Sequence, residues 1–112
     1  IVTTFHKDWN GTIGDHISTY TLTEFLDGNQ LISGSLYKRE VWEKIRGYDE
    51  DLISGYEDYD FWIRAIIAGY KITLVKEPLY WYRKHDDSMI NKTVLKHEEI
   101  KKYILNKCEH LL

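Results

Sequence analysis

Two carboxylates stand side by side where a helical pattern begins, in the run Gly55-Tyr56-Glu57-Asp58-Tyr59-Asp60-Phe61-Trp62-Ile63-Arg64-Ala65. A carboxylate at a helix N-terminus meets free backbone N–H groups and the positive end of the helix dipole. That predicts an Asp58 fixed in place and ionised, the state required of a general base that takes a proton from a hydroxyl. The same residues also read as acids that favour helix starts, with no chemistry attached.

Asp49-Glu50-Asp51 and Asp58-Tyr59-Asp60 both have Asp-x-Asp spacing, which suits a divalent cation with hard oxygen ligands. Neither follows a hydrophobic strand, where such a pair would face phosphates, so neither is expected to bind metal. Among the histidines, His97-Glu98-Glu99 lacks the second histidine of a zinc helix, because position 101 is Lys. His97 and His110 are expected in solvent, and His6 and His16 have no partner pattern. His85 differs, following an aromatic strand and Arg83 and preceding Asp86-Asp87-Ser88. It reads either as a ligand for a metal or diphosphate or as an ordinary loop histidine.

These residues need elements to position them. Ile1–Phe5 reads as a strand, and Lys7-Asp8-Trp9-Asn10-Gly11 as a turn with hairpin chemistry. Residues 16–26, rich in Thr, Tyr, Ile and Leu, predict a strand, broken by Asp27-Gly28-Asn29. Leu31–Tyr37 predicts a buried strand in which Gly34 marks a bulge or a close approach to the backbone. Helices are predicted over Arg39–Arg46, ended by Gly47, and over Glu57–Ala68, closed by Gly69. Strands follow at Lys71–Lys76 and, after Pro78, at Leu79–Arg83. Residues 92–112 predict an amphipathic C-terminal helix with Ile100, Ile104, Cys108 and Leu111 on one face. The tryptophans and tyrosines sit mostly at core periodicity, so core packing is their default reading.

The chain has 112 residues, 15 basic against 18 acidic and a single cysteine, with 43% hydrophobic content. One domain, or part of one, is the expectation. The acidic balance argues against a nucleic-acid partner. A lone Cys108 makes no internal disulfide and suits a reducing compartment, and no apolar run reaches membrane-spanning length. The opening on a β-branched run without Met predicts a piece of a longer protein.

Three segments together carry a resemblance: Leu31-Ile32-Ser33-Gly34-Ser35-Leu36-Tyr37-Lys38-Arg39-Glu40-Val41, Gly47-Tyr48-Asp49-Glu50, and Glu57-Asp58-Tyr59-Asp60-Phe61-Trp62-Ile63-Arg64-Ala65 with Gly69. With Tyr82-Arg83-Lys84-His85-Asp86-Asp87-Ser88, their order and spacing resemble the second, acceptor-side half of family 2 inverting glycosyltransferases. The resemblance implies an α/β class and a partial GT-A fold, a mixed sheet with flanking helices, whose N-terminal nucleotide-binding half is absent. Residues 1–112 would be a single partial domain.

By that resemblance Asp58 is the catalytic base and Glu57 shapes the site or contacts the acceptor. Gly34 and Ser35 line the acceptor side, Arg83 assists the leaving group, and His85 helps hold a metal-bound diphosphate. The implied ligands are a nucleotide-sugar donor, a saccharide or other hydroxyl acceptor, and Mn²⁺ or Mg²⁺ held mostly by residues outside this sequence. A cytoplasmic enzyme, peripheral to the membrane in its full-length form, is the implied setting. The isolated piece is expected to be inactive and to self-associate through its bare sheet edge. The alternative is a non-catalytic carbohydrate-binding or regulatory domain of the same fold.

Overall fold

The computed structural model describes residues 1–14, 19–53, 55–83 and 97–111. Its elements are β1 (Val2–Lys7), β2 (Ile13–Gly14), α1 (Leu22–Asp27), α2 (Arg39–Ile45), α3 (Glu57–Ile67), β3 (Thr73–Trp81) and α4 (His97–Glu109). The result is a small α/β domain with a mixed three-stranded sheet in the order β2-β1-β3.

The hairpin from β1 to β2 forms where the Asn-Gly pair predicts it. Asp8 builds the turn, its Oδ1 accepting from the backbone N–H groups of Asn10 and Thr12, both at 2.9 Å. Gly11 takes φ +83°, a left-handed value that favours glycine.

β3 runs parallel to β1 as one strand where two were expected. Pro78 does not divide it because the register slips there: Thr4 pairs with Val75, but Phe5 pairs with Pro78. A proline has no N–H to give a ladder, and a bulge is where a sheet tolerates it.

Two further strand expectations are corrected. Leu22–Asp27, which overlaps the end of the predicted 16–26 strand, is helical, and residues 15–18 lie outside the described set. Thr21 caps this helix, its side chain accepting from the Glu24 N–H, while Glu24 reaches back to the Tyr20 N–H at 3.0 Å. That reciprocal cap outweighs the β-branched composition. Leu31–Tyr37 is a turn and loop with one antiparallel bridge, Val2 to Leu36, and not a strand. The loop's own bonds explain it: Ser35 donates its backbone N–H and its hydroxyl back to the Ile32 carbonyl, curling the chain.

The core lies among the helices. Phe25 of α1, Val41 of α2, Tyr59, Phe61, Trp62, Ile63 and Ala65 of α3, and Ile100, Ile104 and Cys108 of α4 are buried together. Tyr37 joins them, its ring 4.8 Å from Phe61 and 5.8 Å from Trp62. Of the strand residues only Thr3 is buried. The expectation that most tryptophans and tyrosines are core is corrected: among the described residues only Trp62 and Tyr59 are buried. Tyr20, Tyr37, Tyr56 and Tyr70 pack against the core part-buried, and Trp9 and Trp81 are exposed with their rings 4.6 Å apart. Trp42, on α2, is exposed and leans over Gly47. Leu111 lies beyond α4 and is exposed, while residues 92–96 and 112 are outside the described set.

Candidate active site

Residues 68–72 join the end of α3 to the start of β3, which lies beside the start of β1: Thr73 N–H donates to the Ile1 carbonyl at 2.9 Å. The other end of α3 bears Glu57 and Asp58, the first two residues of the helix.

Tyr56 is the N-cap, in left-handed backbone with φ +62° and no side-chain capping bond. Its hydroxyl instead pairs with Nδ1 of His97 at 2.7 Å, and the two rings meet edge to face at 5.4 Å. His97, expected in solvent, keeps 41% of its side chain exposed, but α4 also brings it onto the residue before Glu57, a contact the sequence did not announce. His110 is exposed, as expected.

Asp58 is partly buried, and burial pushes its carboxyl above the ordinary carboxylate value. The backbone N–H groups of Tyr59 and Asp58 and the amide of Asn29 pull it back, while the charge of Glu57 raises it further. The helix start does hold Asp58, but the expected stabilisation of its ionised form is outweighed by desolvation. Asn29 donates Nδ2–H to Asp58 Oδ2 at 3.1 Å. The same asparagine lines a cleft of about 170 Å³ whose walls include Thr3, Phe5 and His6 of β1, Tyr20, and Gln30–Ile32.

Ser35 is buried, its hydroxyl bonded to Thr3 Oγ1 and to the Ile32 carbonyl, both at 2.8 Å. It fastens the 31–37 loop to β1. At Gly34 an added Cβ would strike the Tyr80 ring, so the close approach read from the sequence is a packing contact with β3. Arg83 is exposed just past β3, and His85 lies outside the described residues.

Neither Asp-x-Asp pair is open to a cation. Asp60 is fully buried, with Oδ2 on the Arg64 guanidinium (2.9 Å to Nε) and Oδ1 on the Lys107 ammonium. Asp49 Oδ2 takes Lys107 at 2.6 Å and the Tyr103 hydroxyl at 2.9 Å, and the Lys107 bond foremost holds its carboxyl down to about 2. Among the described residues no group of three His, Cys, Asp or Glu side chains is placed to hold a metal ion.

Over 48 residues the chain is 44% identical to an uncharacterized glycosyltransferase of Methanocaldococcus jannaschii. This stretch is similar to a glycosyltransferase. The match takes in 43% of the chain and 16% of that relative's length. No protein-family model matches the chain, and no solved structure matches it. Among the described residues no helix is long and apolar enough to cross a membrane.

The cleft and the carboxylate beside it were only half legible in the sequence. Asp58 was singled out by its place at a helix start. Asn29 was missed, because its contact with Asp58 spans 29 positions and no local pattern announces it.

Proposed function

We propose that this chain is the acceptor-side part of an inverting glycosyltransferase of the family 2 type with a GT-A fold, in which Asp58 is the general base. One observation carries the proposal beyond the similarity to a glycosyltransferase. Asp58 is a partly buried carboxylate, held on one oxygen by an asparagine that also lines a cleft beside β1. Burial brings its affinity for a proton closer to that of a base working near neutrality.

In the proposed reaction Asp58 accepts the proton of the acceptor hydroxyl as that oxygen bonds to the anomeric carbon of the donor. The bond from that carbon to the diphosphate oxygen breaks, and its electron pair leaves with the nucleoside diphosphate. Attack opposite the leaving group inverts the anomeric centre. Glu57, next to Asp58, would shape the acceptor side, and Gly34 and Ser35 form the loop beside β1 and β3. Arg83 would assist the leaving group, and His85 would help hold the diphosphate. A divalent cation on the diphosphate belongs to this reading, but Asp49 and Asp60 do not fit it, since protein cations already occupy both.

The test is sugar-nucleotide turnover by the full-length protein over a panel of donors and saccharide acceptors, with product configuration read by ¹H NMR. A product of opposite anomeric configuration to the donor is expected. A retained configuration sinks the inverting mechanism. Saccharide binding without turnover across the panel supports the non-catalytic binding domain instead.

A further inference from the structure

Asn29 lies near the start of the connection from α1 to α2, just past Gly28. Its side chain is held at both ends. Oδ1 accepts from the Leu31 backbone N–H at 3.1 Å, and Nδ2 donates to Asp58 Oδ2 at 3.1 Å. The first bond decides the second: with Oδ1 committed to a backbone donor, the amide can present only N–H toward Asp58. A donor bonded to a carboxylate favours its charged form and restricts its rotation.

We propose that Asn29 is a positioning residue for Asp58, holding Oδ2 so that the carboxylate is oriented to receive the proton of the acceptor hydroxyl. The inference rests on the reading of Asp58 as the base. No pattern around Asp27-Gly28-Asn29 assigns this role, which comes from the turn that aims the amide across to α3. Other groups also face Asp58. Glu57 stands beside it on α3, and the phenols of Tyr56 and of Tyr48, from the α2–α3 connection, feel its charge. Glu57 opposes ionisation of Asp58 and the phenols are neutral near pH 7, so the Asn29 amide is the side-chain donor that favours the carboxylate.

The experiment uses the full-length protein and two variants, Asn29→Ala and Asn29→Asp. The second keeps the side-chain shape and the acceptor for Leu31 N–H, so it serves if the first folds poorly. Two readouts are taken: the Asp58 carboxyl titration by ¹³C NMR, and the acid limb of the kcat/KM profile. Loss of the donor is expected to move the Asp58 titration up by about one pH unit in Asn29→Ala. In Asn29→Asp a like charge replaces the donor, and the shift is expected to be larger. The acid limb is expected to follow, because the base works only when deprotonated.

An Asp58 titration unmoved in both variants overturns the inference, whatever the activity does. A titration that moves while the acid limb stays put leaves Asn29 holding Asp58 but overturns Asp58 as the base. The two failures are therefore distinguishable.

Discussion

Replacing Asp58 by asparagine is expected to lower kcat of the full-length protein by about a hundredfold or more without lowering its melting temperature. Asparagine keeps the shape of the side chain and can still accept from Asn29 through its carbonyl oxygen. What it loses is the capacity to take a proton. The stability side follows from the direction of the Asp58 shift. Its carboxyl is raised in the folded state, chiefly by burial. The folded protein thus binds that proton more tightly than the unfolded chain, and stability falls as pH rises through the folded value. Near neutrality the ionised Asp58 is therefore a burden on the fold that the asparagine removes. Thermal melts and turnover measured side by side check this. Equal turnover would end the assignment of Asp58 as base, and a collapsed melting temperature would make any lost activity a folding defect.

Arg64→Ala is expected to destabilise the domain by about 3–5 kcal/mol, the range for removing one partner of a buried ion pair. Asp60 is wholly enclosed and Arg64 is only 12% exposed. The guanidinium binds Asp60 through Nε and Nη2, and it also donates to the Ile45 carbonyl at 2.7 Å and the Gly47 carbonyl at 2.8 Å. Those carbonyls belong to the end of α2, where Arg46 and Gly47 both have positive φ and the last helical acceptors need outside donors. The truncation leaves Asp60 with Lys107 alone and strips both carbonyls at once. Against a typical total of about 5–15 kcal/mol for a domain, that is a large share. Replacing Asp60 and Arg64 together by Leu and Met is expected to recover only the part of the loss that comes from leaving Asp60 short of its partner, since the Ile45 and Gly47 carbonyls stay without the Arg64 donors. Urea denaturation of wild type, single and double variants measures both, and a single-variant cost below about 1 kcal/mol would mean the network is ornamental.

α3 was legible because a long apolar pattern ending at Gly69 leaves little choice of period. Its far end is Ile67, with Gly69 at φ +97° closing it. The hairpin was legible from Asn10-Gly11 alone. α1 was missed although Thr21 and Glu24 stand at capping-box spacing, because the surrounding Thr, Tyr and Ile pull a composition-based reading toward strand. Pro78 misled in the opposite direction by suggesting a break where the sheet absorbs it in a bulge. Asp60 has Asp-x-Asp spacing and was not expected to bind metal, but its partner Lys107 on α4 was not legible, an encounter between distant positions that local spacing does not encode. The acceptor-side roles of Gly34 and Ser35 rest on resemblance. What the structure adds there is packing on Tyr80 and a bond to Thr3.

The pairing of β1 with β3 has a kinetic consequence. Ile1 and Lys71, hydrogen-bonded at the foot of this ladder, are 70 positions apart. Closing so long a loop is entropically unfavourable before its contacts form, whereas α2 and α3 are near neighbours in the chain and meet through Arg64. The helical cluster is therefore expected to condense first, with β1 joining after the rate-limiting barrier. Substitutions in β1 should then speed unfolding while leaving the folding rate nearly untouched, and those at Phe61 or Trp62 should slow folding. Chevron analysis showing a structured β1 in the transition state would reverse that order.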